Sequence, residues 1–146
     1  MSISSLKGVL KIFGGGDLSP EEEAQLFKEV ALMTLARATS ADSNINQIEV
    51  EKARSVLVAS TGEVFSEADI RVAAQSAIFE SAPLERYVRS SARKLSWWHR
   101  LSIARALAEV IKVDERVSEL EINFFNQIAG ALDLTPSQLI GLEVRR

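Results

Sequence analysis

The 146-residue sequence predicts an all-α fold, a compact bundle of about seven to eight helices built from two pseudo-symmetric repeated halves. Three observations predict it. Apolar residues recur at helical spacing along most of the chain, and helix starts share one capping grammar. No Val/Ile/Thr-rich alternating run bounded by hairpin turns appears, so no sheet is expected.

The elements follow in order. Ile3, Leu6, Leu10 and Phe13 form a stripe for a short amphipathic helix, and Gly14-Gly15-Gly16 ends it as a hinge. Residues 1–16 are therefore set apart from a single domain over 17–146. Ser19-Pro20-Glu21-Glu22 places a cap, a Pro at the first helical position and a Glu at the third. It opens a long helix to about Ala41, with Leu26, Val30, Met33 and Arg37 spaced along it and Leu32, Leu35 and Ala36 widening its buried face. Asn46-Gln47-Ile48-Glu49 and Ser118-Glu119-Leu120-Glu121 repeat the grammar. Ser66-Glu67-Ala68-Asp69 is a looser version, and Thr135-Pro136-Ser137-Gln138 adds a Pro. Between them the pattern gives a short helix near 84–95 and a longer one from Ser96 to about Val113.

Self-comparison aligns Asp42 with Asp114, Ile45 with Val117, Ile48 with Leu120, Glu49 with Glu121, Val50 with Ile122 and Val56 with Ile128. Beyond that helix, Phe65-Ser66 stands opposite Leu134-Thr135. Each half, about 20–81 and 84–146, reads long helix, acidic loop, capped helix, short loop, capped helix. Two such halves would pack around a pseudo-twofold axis, each burying one apolar face.

Composition narrows the function classes. Apolar residues are 47% and charged residues 25%, ordinary for a globular chain. There is no cysteine, which excludes disulfides, thiolate zinc and thiol catalysis and fits a reducing cytoplasm. The net charge of −3 gives no general pull toward polyanions, so no nucleic-acid partner is expected. No segment reaches the roughly 20 apolar residues of a membrane span, and the N-terminus lacks a secretory signal pattern. A cytoplasmic location is expected.

The pattern of an apolar helix, an Asp, small or polar residues, a cap and a Glu seven after the Asp resembles the tellurite-resistance TerB-like family. The best stretch is 106–139, with Asp114, Ser118, Glu121, Ile128-Ala129 and Leu132-Asp133-Leu134-Thr135; Asp42 to Glu49 forms a weaker copy. Ser43 and Glu115 stand where the family usually has Gly. The resemblance implies an all-helical bundle, a non-enzymatic role and acidic loops that hold a metal ion. It also implies an association with stress responses and membrane-linked complexes, and the domain accompanies DnaJ-type modules.

Three candidate surfaces follow. Asp42, Asn44, Glu49, Asp114 and Glu121 are the candidate metal ligands, for a divalent cation such as calcium or zinc. Hard cations want many oxygens, and Asn46, Glu115 and Ser118 add to the supply. Arg116, opposite Asn44, opposes a metal. The spacing is not an EF-hand, with Gln47 and Ala53 at the positions that require Gly and Glu. Glu49 and Glu121 are equally explained as capping residues, and Asp42 and Asp114 as turn formers. The second candidate is a basic stretch, with Arg86, Arg89, Arg93, Lys94, Arg100 and Arg105 beside Trp97 and Trp98. Arg86, Arg89 and Arg93 share a helical face, suited to an acidic protein partner or simply solvated. The third is the N-terminal helix with Lys7 and Lys11.

Catalysis finds little support. His99 is the only histidine, so neither a histidine zinc site nor a Ser-His-Asp set can be assembled. Gly14-Gly15-Gly16 lacks the Gly-Lys-Ser/Thr of a phosphate loop. Glu21-Glu22-Glu23 favours a helix N-terminus and needs no other role. The reading is a non-enzymatic, cation-responsive stress adaptor with a protein partner. The alternative is a metal-free interaction scaffold using the 86–105 surface or the N-terminal helix.

Overall fold

The computed structural model describes residues 18–39, 47–74, 84–113 and 119–135. These form six helices: α1 (Pro20–Ala38), α2 (Gln47–Thr61), α3 (Glu67–Ala74), α4 (Leu84–Ala92), α5 (Trp97–Lys112) and α6 (Glu119–Ala131). No strand occurs among the described residues. The helix and hinge expected over residues 1–16, and the capped segment expected from Thr135-Pro136 onward apart from Thr135 itself, lie outside them.

Helix α1 is the axis of the bundle and touches each of the other five helices. From Leu26 to Ala38 nearly every residue is buried, Lys28 and Arg37 being only half-buried. The stripe expected from the sequence is therefore a helix buried all round, as suits a central position. Helix α5 lies against α1, α2 and α6, while α3 packs on α1 and α2, and α4 on α1 and α6. Leu26, Leu35, Leu57, Phe65, Ile70, Tyr87, Ile103, Leu107, Ile128 and Leu132 are the bulk of one continuous core.

Local chemistry sets the ends of these helices. The Ser19 hydroxyl accepts from the Glu22 amide at 3.1 Å, and the Glu22 carboxylate accepts from the Ser19 amide at 2.9 Å. Ser66 and Asp69 exchange the same two bonds at 3.0 and 2.9 Å. Both are reciprocal capping boxes, so the looser motif works with Asp in place of Glu. Asn46 and Ser118 lie outside the described residues.

Helix α1 stops at Ala38 rather than near Ala41. The Thr39 hydroxyl donates to the Ala36 carbonyl at 2.7 Å, and its amide is shared between Leu35 and Ala36. That closes the last turn. Helix α4 stops at Ala92 rather than Leu95, because Lys94 and Leu95 donate three residues back, to Ser91 and Ala92. Helix α2 ends on Gly62 at φ 77°, the left-handed position glycine favours.

Candidate functional site

The motif Leu132-Asp133-Leu134 is a helix terminator. Asp133 adopts φ 56°, the Leu134 amide reaches the Ala129 carbonyl at 3.4 Å, and the Asp133 amide reaches Gly130 at 3.0 Å. These two bonds make a Schellman cap with Asp at the usual glycine position, which a short polar side chain tolerates. Arg100, from the first turn of α5, completes it by donating Nη1 to the Leu132 and Asp133 carbonyls at 2.9 and 3.0 Å. Its positive charge also suits the negative end of α6.

Arg89, Arg93 and Arg100 line a pocket of about 360 Å³ between the end of α4, the start of α5 and the end of α6, together with Asp133. Arg86 and Lys94 stay outside its walls. Arg89 pairs with Glu85 at 2.8 Å, and Gln127 of α6 donates to the same carboxylate at 2.7 Å. Arg89 and then Gln127 hold the Glu85 carboxyl below its ordinary value. Trp97 and Trp98, beside the pocket-lining Arg100, are 50% and 56% exposed.

Of the candidate metal ligands, Glu49 and Glu121 fall within the described residues. Both sit in the first turn of the helix that follows an acidic loop, and both are buried, at 4% and 3% exposure. Each already has an interaction partner. Asp42, Asn44 and Asp114 lie outside the described residues. Among the described residues no group of three or more His, Asp or Glu side chains is placed to hold a metal ion. Carboxylate and amide oxygens are the donors a hard cation takes, and of these candidates Glu49 and Glu121 are the two within the described residues.

Two polar junctions were not foreseen from the sequence. Glu23 does more than favour the start of α1. Its carboxylate accepts from the Ser96 amide at 2.9 Å and meets His99 Nδ1 at 2.6 Å, so α1 caps α5. Burial pushes this carboxyl up, but the Ser96 hydrogen bonds and His99 outweigh it, and its pKa is lowered. His99 in turn stacks on Phe27, with ring centroids 4.5 Å apart. The second junction is the buried pair of Glu29 and Tyr87, in which the phenol donates to the Glu29 carboxyl. Burial pushes Glu29 up to about 7, against the Tyr87 bond, and pushes Tyr87 well above its ordinary value. The other Glu29 oxygen, Oε2, is buried without a hydrogen-bond partner among the described residues. Glu29 sits in an apolar stretch of α1, and a Glu there in the sequence is the one signal that could have marked it.

No helix among the described residues is long and apolar enough to cross a membrane. Neither a curated protein nor a solved structure shows a significant match to this chain. A family model does: the one described as tellurite resistance protein TerB matches residues 28–144. That span takes in both acidic loops, both buried carboxylates and the Leu-Asp-Leu terminator, and with most of its length so matched the chain belongs to the TerB family.

Proposed function

We propose that this protein is a non-enzymatic adaptor in a tellurite-resistance-type stress response, whose two acidic loops take up a divalent cation such as calcium or zinc. The observation that carries the reading is the pair Glu49 and Glu121. A carboxylate seven residues after each loop aspartate is drawn out of water in both halves. Carboxylates are rarely buried unless paired or coordinating. Asp42, Asn44 and Asp114 would supply the remaining side-chain oxygens, and the bound cation would set how the loops are held.

The duplication belongs to the same proposal. Ile48 and Leu120 are both exposed, Glu49 and Glu121 buried, Val56 and Ile128 buried, and Leu57 and Ala129 buried. Val50 and Ile122 break the match, one fully buried and the other half exposed. This agreement at matched positions supports two related halves that bring related loops to bear on one function. The adaptor would serve a cytoplasmic protein partner, within a membrane-associated complex.

Calorimetric titration of metal-stripped protein tests the reading. Calcium or zinc is expected to bind the wild-type chain and to fail on the Asp42→Asn/Asp114→Asn variant, whose helices remain folded by circular dichroism. Equal binding by the two proteins would contradict it.

A metal-free scaffold using the 86–105 surface or the N-terminal helix is the second reading. Arg86, Arg89 and Arg93 are exposed, although Arg89 is paired with Glu85 and Arg100 is engaged in a helix cap.

A further inference from the structure

We propose that the pocket between α4, α5 and α6 is a binding site for a phosphomonoester, independent of any cation taken up by the acidic loops. Three arginines line it, from three separate places: Arg89 on α4, Arg93 in the turn that follows, and Arg100 on α5. One carboxylate, Asp133, faces them, so the walls carry an excess of two positive charges, offset in part where Glu85 holds Arg89. A guanidinium is a rigid fork of donors matched to oxyanions.

Donor capacity is left over. Arg93 is exposed and has no hydrogen bond or ion pair among the described residues. Arg100 spends Nη1 on two carbonyls, and its buried Nε has no acceptor among the described residues. The Schellman cap and its two bonds to Arg100 hold that guanidinium in place before any ligand arrives.

The shape selects the ligand class. A phosphomonoester presents three terminal oxygens, enough to meet three guanidinium groups, whereas a carboxylate presents two in one plane. The volume of about 360 Å³ stands at the lower end of small-molecule sites, roughly 300–1,000 Å³. Ala92, Leu95 and Ala131 supply apolar wall beside the charges, suited to the carbon part of an ester.

Titration calorimetry on the full chain at low ionic strength tests this, with glycerol 3-phosphate, inorganic phosphate, dimethyl phosphate and acetate as probes. The two dianions are expected to bind at least tenfold more tightly than dimethyl phosphate, a monoanion of the same geometry, and than acetate. Glycerol 3-phosphate binding more tightly than inorganic phosphate points to an ester as the natural ligand, and equal binding to free phosphate; both support the site. Arg93→Gln is expected to weaken the dianions about tenfold without changing the melting temperature, and Arg89→Gln repeats the test from the opposite wall. Acetate matching the dianions, or unaltered affinity in both variants, overturns the proposal.

Discussion

Glu29 is held far from its ordinary state. Its carboxyl is buried against the Tyr87 hydroxyl, with its pKa pushed up to about 7 from an ordinary 4.5. Folded chains then keep this proton through a range in which unfolded chains have released it. Stability contributed by Glu29 is thus fully present below pH 4.5 and is lost as pH rises through 7. Glu29→Gln removes the titration while leaving an acceptor for Tyr87. The expected result is a gain of about 1–3 kcal/mol at pH 8 and little change at pH 4.5, read from urea unfolding at both. A gain of equal size at both pH values would show that the group does not titrate in this range. Neither Glu29 nor its partner was legible beforehand, because 58 residues separate them and periodicity is silent on which helices meet.

At the scale of elements the starts of the helices were readable and their ends less so. Ser19 and Ser66 each stand three residues before an acid, and both boxes form as written. Ends depend on chemistry without such a signature. Thr39 closes α1 through its own hydroxyl, and Asp133 takes a left-handed conformation usually given to glycine. Helix α5 shows the limit most clearly, since its Ser96 forms no side-chain cap and the acceptor comes from Glu23 on another helix. Glu23→Ala is expected to destabilise the fold by about 1–2 kcal/mol at neutral pH, although it lies in the first turn of α1, where acids are usually dispensable. Because the folded pKa is lowered, this stability is present above the ordinary value and lost as pH falls through the folded one. Urea unfolding at pH 7 and pH 3 should therefore show a gap between wild type and variant that narrows in acid. A constant gap would assign the loss to packing instead.

Across the whole molecule, the all-α class follows directly from 3.6-residue periodicity, and the central place of α1 follows from its apolar richness once packing is seen. The basic stretch was legible as charge but not as shape: its residues alternate between a pairing with Glu85, a cap on α6 and the rim of a pocket. The repeated acidic segments were legible as a pattern, whereas the burial of both Glu49 and Glu121 was not. The central claim is that these loops take up a divalent cation. It is tested most directly by thermal unfolding of metal-stripped protein with and without calcium, magnesium, manganese and zinc. A ligand confined to the native state adds about 2.7 kcal/mol at a hundredfold excess over its dissociation constant. A rise of several degrees with one of these ions, absent in the Asp42→Asn/Asp114→Asn variant, is expected; unfolding indifferent to every ion would contradict cation uptake.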